Sequence, residues 1–150
     1  LMNIKGKRSV DSIHKEFGRI MWDYVGMGRT KEGLETGLQK MKEIRKEFET
    51  NLFIPGSKEG LNVELDKAIH LRDFITMGEL VAYDAISRNE SCGGHFRLEH
   101  QTPEGEALRH DDQFAYVSCW EYQGEDQDPV LLKEPLDYEF VVRQQRNYKN

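Results

Sequence analysis

Val10-Asp11-Ser12-Ile13-His14-Lys15-Glu16-Phe17-Gly18-Arg19-Ile20-Met21-Trp22-Asp23-Tyr24-Val25-Gly26 is the stretch on which the fold turns. Val10, Ile13, Phe17, Ile20, Met21 and Tyr24 recur at spacings of three and four, which draws a single apolar stripe along an α-helix. Ser9 stands where an N-cap belongs. Gly26 and Gly28 stop the pattern, glycine being suited to a left-handed cap position.

Working outward, Thr30 caps a second helix whose stripe is Leu34, Leu38, Met41, Ile44 and Phe48. Arg45 stands at the edge of that stripe. Glu32 comes early and Lys42, Arg45 and Lys46 late, as the helix dipole prefers. Residues 51–60 hold Pro55-Gly56 and Gly60 and read as a loop. Asn62 then caps a third helix from Val63 to Arg88. Its expected core face is Leu65, Ile69, Phe74, Leu80, Val81, Ala85 and Ile86. Leu71, Ile75 and Met77 widen that face, as suits a central helix with more than one neighbour. Three helices joined by such loops pack most simply up-down-up.

Beyond Leu98 the period changes. Residues 101–112 are polar, hold Pro103 and Gly105, and read as an exposed loop. Phe114, Tyr116, Ser118, Trp120 and Tyr122 alternate with Ala115, Val117, Cys119 and Glu121, the period of a strand. Residues 124–128 make a turn, Val130-Leu131-Leu132 a short second strand, and Leu136, Tyr138, Phe140 and Val142 a third. Pro129 and Pro135 keep these strands short or at an edge. The expected class is mainly α, a three-helix up-down-up bundle followed by a small antiparallel hairpin or meander. Residues 1–98 form the bundle, ending in a Gly-rich charged turn. Residues 99–150 form a loop and β appendage packed on it within one structural domain.

Composition narrows the function. A chain of 150 residues makes one domain burying roughly 70% of its unfolded surface. The apolar share of 37% is low and the charged share of 32% high, as for helices with charged outer faces or a surface meant for a partner. No apolar run approaches the ~18 residues of a membrane span, and nothing resembles a signal peptide. The net charge of −6 argues against nucleic acid, which requires a basic footprint. Acidic residues crowd positions 99–139, where only Arg109 and Lys133 oppose them, and read as a solvated loop region. Cys92 and Cys119 lack CxxC spacing and read as reduced thiols. The chain opens on Leu1, as an excised or processed piece would.

Few motifs carry chemistry. Gly26-Met27-Gly28 leads to Gly33 with the wrong spacing for a dinucleotide loop, and it follows a helix rather than a strand. His95, His100, His110, Asp111 and Asp112 lie near Cys92, without the ligand spacing of an established metal site. Cys92 and His95, at i and i+3, have no third group to orient them as a nucleophile pair. Trp22, close to Tyr24 and Arg19, suits either the core or an interface anchor. The densest polar cluster is Arg88-Asn89-Glu90-Ser91-Cys92-Gly93-Gly94-His95-Phe96-Arg97, charge gathered around a Gly pair that permits positive φ and close approach.

At these residues the chain resembles the C-terminal region of the succinate dehydrogenase and fumarate reductase flavoprotein subunits, with aspartate oxidases and adenylylsulfate reductases as wider relatives. Trp22-Asp23-Tyr24-Val25-Gly26-Met27-Gly28-Arg29-Thr30, continued by Lys31-Glu32-Gly33-Leu34, is similar to the family's Trp-Asp-x-Val-Gly-Met-x-Arg-Thr pattern. Arg88 to His95 is similar to its Arg-x-Glu-Ser-Arg-Gly-x-His segment, and Arg97 and Arg109-His110-Asp111-Asp112 match charged positions that follow. Cys92 departs from the usual Arg. The stretches 102–108 and 121–128 are this chain's own. The resemblance implies a full subunit that binds FAD, interconverts succinate and fumarate, and passes electrons to an iron–sulfur subunit on a membrane anchor. It further implies a peripheral position on the cytoplasmic side of the inner membrane, the fragment itself being soluble. Flavin and dicarboxylate sites belong to upstream flavin-binding and capping domains. No catalytic, cofactor-binding or metal residue is therefore assigned here.

The expected role is structural. Arg88, Glu90, Ser91, Gly93, Gly94, His95 and Arg97 form a polar junction that docks on the flavin domain, since such a network specifies one geometry. The alternatives are an independent helical protein–protein adaptor and a small metalloenzyme using His95, His100, His110 and Asp111.

Overall fold

The structure, a computed structural model, describes residues 1–124 and 127–145. It divides into two compact units, Leu1–Ile86 and Ser87–Asn150.

The first unit is the helical bundle. A two-residue strand β1 (Arg8–Ser9) runs into α1 (Val10–Val25). α2 (Lys31–Asn51) runs directly into a second two-residue strand β2 (Leu52–Phe53), and α3 (Val63–Ser87) follows. The expected caps are in place. Ser9 accepts a bond from the Ser12 amide at 3.3 Å, Thr30 from Gly33 at 3.0 Å, and Asn62 from Leu65 at 3.0 Å. Each satisfies an amide that the first helical turn leaves without a partner.

The end of α1 differs from expectation. Gly26 has φ −68°, not a left-handed value. Glycine is needed there for room, because a Cβ would lie 2.5 Å from the Trp22 carbonyl oxygen. The terminal carbonyls are capped by a side chain instead: Arg29 Nε donates to Val25 O at 3.2 Å and Gly26 O at 3.0 Å.

Cross-helix contacts give the directions. Tyr24 meets Gly37 and Arg8 pairs with Glu47, so α1 and α2 are antiparallel. Arg45 pairs with Glu79 and Lys42 lies over Tyr83, so α2 and α3 are antiparallel. Asp11 pairs with Lys67, His14 meets Phe74, and Phe17 meets Gly78, so α1 and α3 are parallel. The bundle is up-down-up, as predicted. Its core holds Ile13, Phe17, Ile20, Leu34, Met41, Ile44, Phe48 and Leu71, each side chain contributing about 1.5–3 kcal/mol relative to exposure.

α3 buries only part of the predicted face. Leu71, Ile75 and Ala85 are buried as expected, joined by the unpredicted Ala68, Gly78 and Ala82, whereas Ile69, Phe74, Met77 and Val81 are exposed. Leu65 and Ile86 are partly buried against the core. Small residues leave room for large side chains reaching across from α1: an added Cβ on Gly78 would run into the tip of the Phe17 ring.

The second unit begins as α3 ends. A two-residue reversal at Gly93-Gly94 is followed by a long loop, the short helix α4 (Asp111–Phe114), and an antiparallel hairpin of β3 (Tyr116–Glu121) and β4 (Val130–Pro135). The register pairs Tyr116 with Pro135 and Glu121 with Val130. Glu125 and Asp126, within the expected turn, lie outside the described residues. The expected third strand does not form among the described residues, so the result is a hairpin rather than a meander. Within residues 136–145 a backbone bond from Leu136 N–H to Ala115 O at 2.9 Å is followed by side-chain bonds such as Arg143 to Asp111 O and Arg109 to Gln144 O. Residues 101–112 are likewise not a simple exposed loop. Gln101 bridges Ala107, and Leu108, Arg109 and His110 are half-buried.

Candidate functional site

Bonds within its own unit help hold the Arg88–Arg97 segment. Cys92 N–H donates to His95 O at 2.8 Å and His95 N–H returns a bond to Cys92 O at 3.0 Å, closing a two-residue β-turn. Gly93 takes φ +58° at the first central position, where hairpin loops of this length favour glycine. Gly93 and Gly94 are both exposed.

Behind this tip lies a buried polar core. Glu90, Ser91 and Arg97 are at most 2% exposed. Ser91 Oγ accepts from Arg97 N–H at 2.8 Å and donates to Arg97 O at 3.1 Å, while Ser91 N–H donates to Leu108 O at 2.8 Å. One Glu90 carboxylate oxygen accepts from Arg88 Nη1 at 2.9 Å and the other from His110 N–H at 3.0 Å. Arg97 Nε donates to Glu99 at 3.2 Å. Burying a charge is costly unless it is paired and hydrogen-bonded, and here both conditions hold. Among the described residues, no buried side-chain nitrogen or oxygen lacks a partner.

Arg88 links this core to the hairpin. Its guanidinium donates to Phe114 O at 3.0 Å and Tyr116 O at 3.2 Å, and lies 4.8 Å from the Tyr116 ring centroid. Stacking of a guanidinium on an aromatic face suits Arg far better than Lys. The His95 Nε2–H donates to Arg88 O at 2.9 Å. All seven residues predicted for the site are therefore gathered in one place. Three of them form its interior, and the two glycines form its outward face. The Tyr116 and Phe114 platform escaped sequence reading, since nothing in the sequence ties Arg88 to residues almost thirty positions away.

The other candidate chemistry does not assemble. His100 and His110 meet edge to face, ring centroids 5.5 Å apart. Burial, then the Arg97 and His110 charges, holds the His100 pKa below its usual value. Among the described residues no three of His, Cys, Asp and Glu come together as a metal-binding group, so His95, His100, His110 and Asp111 do not converge. Cys92 is half-buried and Cys119 exposed, both free. Gly26-Met27-Gly28 follows α1, and Gly26 is pressed against the Trp22 carbonyl. Gly26-Met27-Gly28 is thus a helix end rather than a strand-to-helix phosphate loop. Trp22, predicted for core or interface, is 82% exposed.

The sequence model of the family described as fumarate reductase flavoprotein C-term matches residues 14–148. The chain belongs to this family.

Within it, the fumarate reductase flavoprotein subunit of Proteus vulgaris is 32% identical over 99 residues, covering 66% of this chain and 16% of that protein. A chloroplastic L-aspartate oxidase of Nicotiana tabacum is 36% identical over 88 residues, covering 58% of this chain and 13% of that protein. A solved quinol-fumarate reductase with menaquinol molecules superposes with a TM-score of 0.80 at 24% identity, over 94% of this chain and 23% of that one. That likeness speaks for the fold. The chain thus spans less than a fifth of the length of the curated relatives it matches. Among the described residues no helix is long and apolar enough to cross a membrane.

Proposed function

We propose that this chain is the C-terminal helical domain of an FAD-dependent succinate dehydrogenase or fumarate reductase flavoprotein subunit. It is structural, and inactive alone. In the full subunit FAD supplies the redox chemistry that interconverts succinate and fumarate. Electrons pass to an iron–sulfur subunit and a membrane anchor, with the assembly peripheral on the cytoplasmic side of the inner membrane. The observation that carries the reading is the family match over residues 14–148.

The role of that cluster follows from its geometry. Glu90, Ser91 and Arg97, tied to Arg88 and His95, fix a rigid reversal whose Gly93-Gly94 tip carries no side chain. Bare backbone at such a tip allows close approach by another surface. The tip docks on the flavin-binding and capping domains of the same subunit. The test is to co-express this chain with the upstream flavin-binding part and assay succinate-dependent dye reduction in the purified mixture. Co-purification with recovered turnover is expected. An upstream part fully active alone and unable to bind this chain overturns the proposal in favour of an independent adaptor.

A further inference from the structure

Residues 100–110 form a closed loop with a histidine at each end. Leu108 N–H donates to His100 O at 3.1 Å, Gln101 bridges Ala107, and Thr102 N–H donates to Glu106 O at 2.8 Å. The chain enters at His100, turns through residues 102–105 and returns to His110, where the two imidazoles meet edge to face at 5.5 Å. This base is tied to the buried polar core. Leu108 O accepts from Ser91 N–H at 2.8 Å, and His110 N–H donates to Glu90 at 3.0 Å.

The charges around the base are already matched. Arg88 pairs with Glu90 at 2.9 Å, Arg97 with Glu99 at 3.2 Å, and Arg109 with Asp111 at 2.6 Å. Arg97 is 1% exposed. From the outer side Arg143 donates to Asp111 O at 3.2 Å and Gln145 to Ala107 O at 2.6 Å. Asp112 is exposed, and Glu104 and Glu106 belong to the far turn. A proton on His100 is therefore a surplus cation. It would sit against the His110 ring and a buried guanidinium, beside carboxylates already committed to arginines, and a charge so placed is costly.

We infer that the His100/His110 pair is a proton-operated latch: neutral imidazoles hold the 100–110 loop shut, and protonation opens it while the β3/β4 hairpin stays formed. Opening is local because no residue from 100 to 110 is fully buried, so little apolar surface is exposed when the loop lifts. The sign follows from linkage. Burial, then Arg97 and His110, hold the His100 pKa below its usual value, against the opposite pull of Glu99 and Glu90. The closed loop thus disfavours a proton that the open loop accepts. Opening grows as pH falls below about 6.5 and levels off once the folded pKa is passed.

The experiment is amide hydrogen exchange read by NMR on the full chain between about pH 7.5 and 5, with rates corrected for the intrinsic effect of pH. The Ser91 and Leu108 amides report the loop, and the amides paired between β3 and β4 report the hairpin. The loop amides should be less protected than the hairpin amides and lose at least about threefold of their protection on acidification. His100→Gln should abolish that loss. In wild type the loss should level off at the pH where the His100 ring itself titrates, a check that needs no variant and decides alone if His100→Gln does not fold. Equal protection of loop and hairpin overturns the inference, because the loop then opens only when the unit unfolds. So does a loss that is absent in wild type, persists in His100→Gln, or levels off at a pH other than that of the His100 titration.

Discussion

Ser91 and Arg97 clasp each other through one hydroxyl: Ser91 Oγ takes the Arg97 amide at 2.8 Å and gives its own proton to the Arg97 carbonyl at 3.1 Å. The hydroxyl is fully buried, and while the Arg97 carbonyl also accepts from His100 N–H at 2.9 Å, the Arg97 amide relies on Ser91. Ser91→Ala therefore strands a buried donor, at a cost of about 1–3 kcal/mol. The second unit should lose at least about 1 kcal/mol, read by denaturant unfolding followed through Trp120. A loss below about 0.5 kcal/mol would show that water replaces the hydroxyl.

At the tip of the same segment the strain is purely conformational. Gly93 has φ +58°, and a Cβ there meets no atom within 4 Å. Gly93→Val should destabilise the turn by about 1–2 kcal/mol, the left-handed penalty for a side chain, while the helices stay formed. Gly93→Asn, which tolerates that region, should lose less than half as much. Equal losses for both would point to a contact at the tip rather than backbone strain.

Two glycines of the bundle should respond oppositely to the same substitution. In Gly37→Ala the new Cβ would lie 2.6 Å from the Tyr24 Cβ, an atom too near its backbone to swing away, so α1 and α2 must part. Overpacking of about 1–3 kcal/mol outweighs a helix-propensity gain of about 1 kcal/mol. Gly18→Ala has open space around it and should stabilise by about 0.5–1 kcal/mol. Thermal melts of the two variants test the pair, with a stabilised Gly37→Ala as the contrary result.

Acid should weaken the second unit through His100. Its folded pKa lies below the usual value, chiefly through burial and then through Arg97 and His110. The unfolded chain therefore takes up the proton first as pH falls through about 6.5. In that window the unfolded state binds more protons, so stability falls with falling pH until the folded pKa is passed. His100→Gln should flatten unfolding stability between about pH 7 and 5. An unchanged pH profile in that variant would assign the dependence to other groups.

How far the sequence disclosed this structure depended on whether each element had one apolar side or several. α1 and α2 carry a single stripe and unambiguous caps at Ser9 and Thr30, so their limits follow from spacing alone. α3 carries apolar residues on more than one side, and its buried side combines Leu71 and Ile75 with Ala68, Gly78 and Ala82, whose small size leaves room for side chains such as Phe17. The Arg88–Arg97 cluster was visible as a cluster but not as an interior. A buried Glu90 and an exposed one look identical until Arg88 and the His110 amide are brought to it by chain far downstream. The missing third strand has a similar origin. Leu136, Tyr138, Phe140 and Val142 alternate like a strand, yet after the Leu136 amide the described residues 137–145 make side-chain bonds in place of a ladder.

The parallel pairing of Arg8 and Ser9 with Leu52 and Phe53 ties the segment before α1 to the far end of α2. Gly6 N–H bonds to Leu52 O and Lys7 N–H to Asn51 O, both at 3.0 Å, across more than forty intervening residues. Such a closure can form only after α1 and α2 have come together, because its loop entropy must be offset by their packing. These amides should exchange with solvent deuterium only when the whole helical hairpin opens, which makes Gly6 and Lys7 reporters of its cooperative unfolding.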